Sequence, residues 1–263
     1  MSAALQSPAI QIVRSVRDSV SPEEWEARVQ LAAAYRLTEI YGMTEMTANH
    51  ISCRVPGEEG HFLINPYGML YEEVTASSLL KVDLDGNILF NATEFGMNRA
   101  GFVIHSAIHA ARHDVDCVAH THTPAGMAVS AMECGLLPIA QTTMRFLHVA
   151  YHDFEGIADD EGERERLVAD LGNKTAMILR NHGTLAVGKN VAQCFIRLYF
   201  LERACEAQIM ALSGGVANLY HANQGAPEKT AEQGRGGLET VADRLAWPAL
   251  LRKMDRLDAS YRD

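Results

Sequence analysis

Apolar and polar positions alternate most clearly in Asp116-Cys117-Val118-Ala119-His120-Thr121-His122-Thr123. Val118, His120 and His122 share one face of an extended segment there, and Cys117 and Ala119 share the other. Upstream, Ser21-Pro22-Glu23-Glu24 predicts a helix start, with Ser21 as N-cap, Pro22 at the first helical position and Glu24 at the third. That helix should run to about Tyr41 and end at Gly42. Asn49 to Val55 alternates as a strand and stops at Pro56-Gly57, and His61 to Pro66 reads as its hairpin partner. Thr75 to Ser78 starts a short helical turn. Leu80–Leu84 and Ile88–Phe90 are strands around the turn Asp85-Gly86-Asn87. Ala100 to Arg112 carries Phe102, Ile104, His105, Ile108 and His109 at helical spacings.

The second half continues with a helix over Pro124–Met132 and short strand candidates at Leu137–Ala140 and Val149–Tyr151. A charged helix spans Gly162–Leu171. Strands over Ala176–Leu179 and Thr184–Val187 flank Asn181-His182-Gly183. Val191–Leu212 is a long amphipathic helix, with Phe195, Leu198, Leu201 and Ile209 on its apolar stripe. Residues 213–238, rich in glycine and polar residues, are expected to be a loop or linker before a closing helix over Glu239–Leu257. The expected organisation is an N-terminal arm (1–20), one main domain (21–212), and a glycine-rich loop with a C-terminal helix (213–263). The order is neither strict strand–helix alternation nor all strand. It predicts a three-layer α/β arrangement, with a central, mainly antiparallel sheet and helices on both faces.

Composition narrows the classes. The chain has 263 residues, 48% of them hydrophobic, enough for one large core with an appendage. A formal charge of −10 argues against nucleic acid or an anionic membrane surface as a partner. No apolar run approaches the roughly 18 residues that a membrane span needs. The first residues show no apolar signal region. Cys53, Cys117, Cys134, Cys194 and Cys205 form no close pairs, which suggests reduced thiols and a cytoplasmic protein.

The candidate chemistry lies in the histidines. Imidazoles at i and i+2 on a strand point the same way and can share one divalent transition metal, and His182, beside Gly183 at the end of an apolar run, offers a third ligand. Three neutral imidazoles leave coordination positions open, as in a catalytic centre. The alternative is a pair of histidines bonded to backbone within a sheet. His105, His109 and His113 recur every four residues along one helix face. They suit a fourth ligand or a proton relay, or else packing.

Asn49-His50-Ile51-Ser52, Asn65-Pro66-Tyr67-Gly68, His105-Ser106-Ala107-Ile108-His109-Ala110-Ala111-Arg112, His120-Thr121-His122 and Asn181-His182-Gly183 together resemble the class II aldolase/adducin head family, over about residues 25–212. The resemblance implies an αβα fold and a homotetramer with active sites at subunit boundaries. It implies a divalent metal, most often Zn2+, held by His120, His122 and His182. Family aldolases bind the substrate phosphate near an Asn, a Gly in a turn and a Ser-Ser pair that precedes a catalytic Glu. Those positions correspond here to Asn49, Gly68 and Arg99-Ala100-Gly101. The carboxylate position is therefore Gly101, and two hydroxyls are missing. Asn98-Arg99-Ala100-Gly101-Phe102, Gly135-Leu136-Leu137-Pro138 and Tyr151-His152-Asp153-Phe154-Glu155-Gly156 are closer to adducin heads and their bacterial relatives.

Arg99, at the lost hydroxyl position, offers a bidentate fork to a carboxylate or phosphate, or an ion pair with Glu94. Glu94 reads as a solvated loop residue, and the charge run Asp159–Arg166 as a solvated helix face. His105 and Tyr151 are the candidate catalytic groups: His105 stands one turn beyond Gly101, and Tyr151 opens a polar cluster with His152, Asp153 and Glu155. Two functions follow. One is a metal-dependent lyase, aldolase- or decarboxylase-like, acting on a small anionic hydroxy-, keto- or sugar acid. Decarboxylation suits the missing Glu, because loss of CO₂ needs no carbon-acid base. The other is a non-catalytic, adducin-like oligomeric scaffold or ligand-binding module.

Overall fold

Ser21 Oγ accepts a hydrogen bond from the Glu24 backbone N–H at 3.0 Å, and Pro22 opens α1 (Pro22–Ile40). The capping pattern read from the sequence is thus the start of the first helix in this computed structural model, which describes residues 16–156 and 161–263. The expected arm lies outside the described residues up to position 15; Arg17–Ser19 form a single 3₁₀ turn.

Eight strands form one sheet among the described residues. They are β1 (His50–Arg54), β2 (His61–Ile64), β3 (Leu80–Asp83), β4 (Ile88–Phe90), β5 (Cys117–Thr121), β6 (Ala150–His152), β7 (Ala176–Leu179) and β8 (Gly183–Gly188), in the order β4-β3-β2-β1-β5-β8-β7-β6. Every pairing is antiparallel except β6 with β7, which is parallel. Helices α2 (Arg99–Ala111), α3 (Pro124–Ser130), α4 (Gln141–Met144), α5 (Glu161–Leu171) and α6 (Val191–Leu212) complete the layers.

Strand alternation sorts the core onto two faces. Ile51, Cys53, Cys117, Ala119 and Ala186 pack with Leu31, Tyr35 and Leu37 of α1 and Phe195 and Leu198 of α6. Val118, Leu185, Val187 and Met177 pack on the opposite face with Ile104 and Ile108 of α2 and Leu167 and Leu171 of α5. The result is a three-layer αβα sandwich around a mainly antiparallel sheet.

Of the segment expected to be a loop, residues 213–225 are irregular apart from a 3₁₀ turn at Val216–Asn218, but residues 226–238 are helical. α7 (Ala226–Val241) carries Pro227 in its first turn and continues through a π-helical turn, Ala242–Ala246, into α8 (Trp247–Leu257). Its glycines lower intrinsic helix propensity by about 1 kcal/mol each, but α7 packs against α4 and α6, with Ala231 buried. Tertiary packing outweighs propensity there. Leu137–Ala140, expected as a strand, is irregular; the Leu137 N–H donates to Gln208 Oε1 at 2.6 Å rather than to a neighbouring strand. Trp247 and Met254 join the α1–α6 core, and the Ala76 and Ser77 N–H groups donate to the carbonyls of Tyr261 and Asp263. No helix among the described residues is long and apolar enough to cross a membrane.

Candidate metal centre

The register of the central strands assembles the site. His120 on β5 lies between His50 on β1 and Leu185 on β8, so these side chains project from one face, toward α2 and α5. Thr121 pairs with Thr184 at the next position and faces the α6 layer. β5 ends at Thr121 and β8 begins at Gly183, so His122 and His182 stand just beyond the same end of the sheet. Asn181 takes φ +54° to make that corner. A Cβ on Gly183 would overlap the Thr121 carbonyl oxygen, so glycine permits the two histidine-bearing segments to touch.

The three Nε2 atoms converge. His120 and His122 are 2.7 Å apart at Nε2, His122 and His182 are 2.9 Å apart, and His120 and His182 are 3.2 Å apart. His120 Nδ1 donates to the Thr184 carbonyl at 2.8 Å, which leaves its Nε2 lone pair free. His122 Nδ1 lies 2.6 Å from Glu45 Oε2, on the loop between α1 and β1. Acceptors on the far nitrogens fix the tautomer and ring orientation that metal ligation needs. Burial, then the neighbouring imidazoles, hold His120 well below the usual histidine range; burial and His122 push His182 down to about 4. The His120 and His182 rings are therefore neutral at physiological pH, which is the ligating form. The donor set fits a nitrogen-preferring divalent cation such as zinc.

The other expected residues have distinct settings. Asn49 is buried, and its Oδ1 accepts the Glu45 N–H at 2.8 Å, so it fastens the loop that carries Glu45. Gly68 has φ +116° and faces the Phe95 ring. Arg99 is exposed at the first position of α2 and makes no hydrogen bond or ion pair among the described residues, with Glu94 or otherwise. His105 Nδ1 and His109 Nε2 both meet Ser52 Oγ, at 2.6 and 2.8 Å. His113 lies exposed past the end of α2, so the histidine row covers two buried positions rather than three. The Tyr151 hydroxyl accepts the Leu136 N–H at 2.9 Å, and the Arg180 guanidinium sits 4.3 Å from its ring centre. Its neighbour His152 pairs through Nδ1 with Asp170 at 2.7 Å.

His50 had no role assigned from the sequence beyond its place in a motif. Its ring is buried and lies parallel to that of His120, with centroids 6.3 Å apart, and neither ring nitrogen has a hydrogen-bond partner among the described residues. A Cβ at Gly101 would sit 2.5 Å from His50 Cδ2. The imidazole thus occupies the space through which a side chain at position 101 would have to pass. Glu45 and the Thr184 carbonyl also went unread; neither an exposed loop carboxylate nor a backbone acceptor leaves a mark in one sequence.

Comparison with known proteins agrees with this geometry. The model of the class II aldolase and adducin N-terminal domain matches residues 29–209. A crystal structure of an aldolase II superfamily protein from Pseudomonas syringae superposes with a TM-score of 0.90 and 52% identity, covering 95% of this chain and 100% of that one. L-fuculose 1-phosphate aldolase from Glaciozyma antarctica gives 0.78 at 26% identity, over 98% and 97% of the two chains. Rat alpha-adducin is 44% identical over 254 residues, 91% of this chain but 35% of its own length.

Proposed function

The chain belongs to the class II aldolase and adducin N-terminal domain family, and on that premise we propose that it is a metal-dependent carbon–carbon lyase. Its substrate is a small hydroxy-, keto- or sugar acid, and the reaction is aldolase- or decarboxylase-like. The observation that carries this reading is the convergence of three imidazole Nε2 atoms within 3.2 Å of one another. His120, His122 and His182 would hold the cation, with zinc the expected metal. A bound divalent cation supplies Lewis-acid stabilisation of negative charge on the substrate oxygens.

The chain's own groups do the rest. Thr184 and Glu45 hold His120 and His122 in their ligating orientations. Arg99, unpaired among the described residues, is suited to a substrate carboxylate or phosphate. No carboxylate can reach the metal from position 101, which favours bond cleavage that needs no carbon-acid base there. Homotetrameric assembly, with sites at subunit boundaries, belongs to the same reading.

A second reading is an adducin-like scaffold or ligand-binding module. The Gly101–His50 arrangement and the similarity to alpha-adducin favour it. Elemental analysis separates the two at the first step. Near one equivalent of zinc per chain, lost in His120→Ala, supports the enzyme and directs a screen of hydroxy- and keto-acids for turnover. Turnover at the unsubstituted rate in His120→Ala and His182→Ala would sink the metal-dependent mechanism, and a metal-free chain that takes up none on addition moves the scaffold to the front.

A further inference from the structure

Behind the histidines, on the opposite face of the sheet, α6 delivers a carboxyl group that forms no ion pair among the described residues. Glu202 is fully buried. Its Oε1 accepts hydrogen bonds from the hydroxyl of Thr121, at 2.6 Å, and from that of Thr184; its Oε2 accepts from the hydroxyl of Thr123. Each threonine belongs to a ligand-bearing segment. Thr121 separates His120 from His122. Thr123 follows His122 and caps α3, accepting the Gly126 N–H at 2.9 Å. Thr184 lies two residues after His182, and its carbonyl is the acceptor of His120 Nδ1. A Cβ on Gly126 would lie 2.9 Å from Thr123 Oγ1 and 3.2 Å from Glu202 Oε2, so helix α3 closes on this cluster at a glycine.

A buried carboxyl group is costly, and proteins ordinarily pair it with a cation. Three hydroxyl donors replace the cation here. A plain packing role would be met as well by an apolar side chain, since removing a satisfied buried polar group together with its partners is close to neutral. The polar group fastens both strand ends and the start of α3 with a single side chain.

We propose that Glu202 is a positioning residue of the metal centre. It ties Thr121, Thr123 and Thr184 together, so that the backbone presents the three Nε2 atoms to one point. The inference rests on the metal-binding reading and adds a residue that touches neither metal nor substrate.

Cobalt(II) titration of the full chain tests it, because the visible d–d absorption of the bound ion reports ligand geometry apart from stability. The variants are Glu202→Ala, Glu202→Gln and Thr184→Val, with Leu80→Ala, buried on β3, as a control for general destabilisation. In Glu202→Ala the cobalt dissociation constant rises 10- to 100-fold, the range for lost outer-shell partners, and the absorption band shifts. Glu202→Gln, which keeps the size and one acceptor oxygen, retains the band with a smaller loss of affinity. Leu80→Ala changes neither. If Glu202→Ala gives no folded protein, Glu202→Gln and Thr184→Val against Leu80→Ala decide the matter on the same two readouts. Unsubstituted band and affinity in the Glu202 and Thr184 variants, or equal changes in Leu80→Ala, overturn the inference while leaving the metal centre standing. Failure of the unsubstituted chain to bind cobalt overturns both.

Discussion

The imidazole of His50 stands where a side chain on Gly101 would begin, with 2.5 Å between His50 Cδ2 and an ideal Cβ at that glycine. Alanine ordinarily stabilises a helix interior by about 1 kcal/mol relative to glycine. Here the methyl group would press into a ring confined by His105 and the sheet. Gly101→Ala should therefore destabilise by about 1–3 kcal/mol, as overpacking does. In His50→Ala/Gly101→Ala the loss should be less than the sum of the single losses. Denaturant unfolding of the four proteins of that cycle checks both statements; additive losses would mean that the two sites do not compete for one space.

His109 gives the fold a pH dependence. Burial, assisted by the Arg54 charge, pushes His109 down to about 3 in the folded chain, whereas an exposed histidine titrates near pH 6.5. The unfolded chain therefore binds this proton first as the pH falls. Stability from this group is complete above about pH 6.5 and declines toward pH 3, by about 1.4 kcal/mol per pH unit. His105, which shares Ser52 with His109, is also held low and adds to the trend. Urea midpoints of chelator-treated protein between pH 7.5 and 4.5 should fall, and the slope should flatten in His109→Gln. An unchanged slope in that variant would remove His109 as the cause.

Glu45 is the exposed counterpart of the Thr184 carbonyl. Its carboxylate meets His122 Nδ1 at 2.6 Å with 47% of its side-chain surface exposed. Glu45→Ala should leave folding intact and weaken metal binding by about 10-fold, the low end of the range for outer-shell partners. Competition with a chromophoric chelator measures this directly, and a dissociation constant within a factor of two of the unsubstituted value would count against the pairing.

Arg99 has no partner to lose among the described residues. Arg99→Ala should change unfolding free energy by no more than about 0.5 kcal/mol, as surface substitutions do. It should weaken binding of an anionic hydroxy acid to the metal-loaded chain. Calorimetric titration with glycolate tests the second point; equal affinity in the two proteins would place the anion elsewhere.

Local patterns in the chain carried the elements that local chemistry controls. Ser21 and Pro22 marked α1 because a cap and a fixed φ act within a few residues. His120 and His122 shared a face because a strand repeats every second residue, and α6 matched its expected limits of Val191 and Leu212. The supports of those ligands were illegible, since Glu202 and Glu45 reach the site only when layers distant in sequence are packed. Helix α7 was hidden for the opposite reason: its own glycines argue against it, and its burial against α4 and α6 is invisible before folding. His50 was in plain sight within Asn49-His50-Ile51-Ser52, but its importance comes from Gly101 on another element.

His120 and His182 lie 62 positions apart and meet only across the β5–β8 pair. The unfolded chain therefore has no comparable trap for a cation, and the folded one gains whatever the ion's affinity supplies. Free metal at a hundredfold excess over its dissociation constant adds about 2.7 kcal/mol to unfolding. For a chain of this length that raises the thermal midpoint by several degrees. On the metal-binding reading, the heat tolerance of this protein is partly a property of the ion supply around it, set from outside the polypeptide.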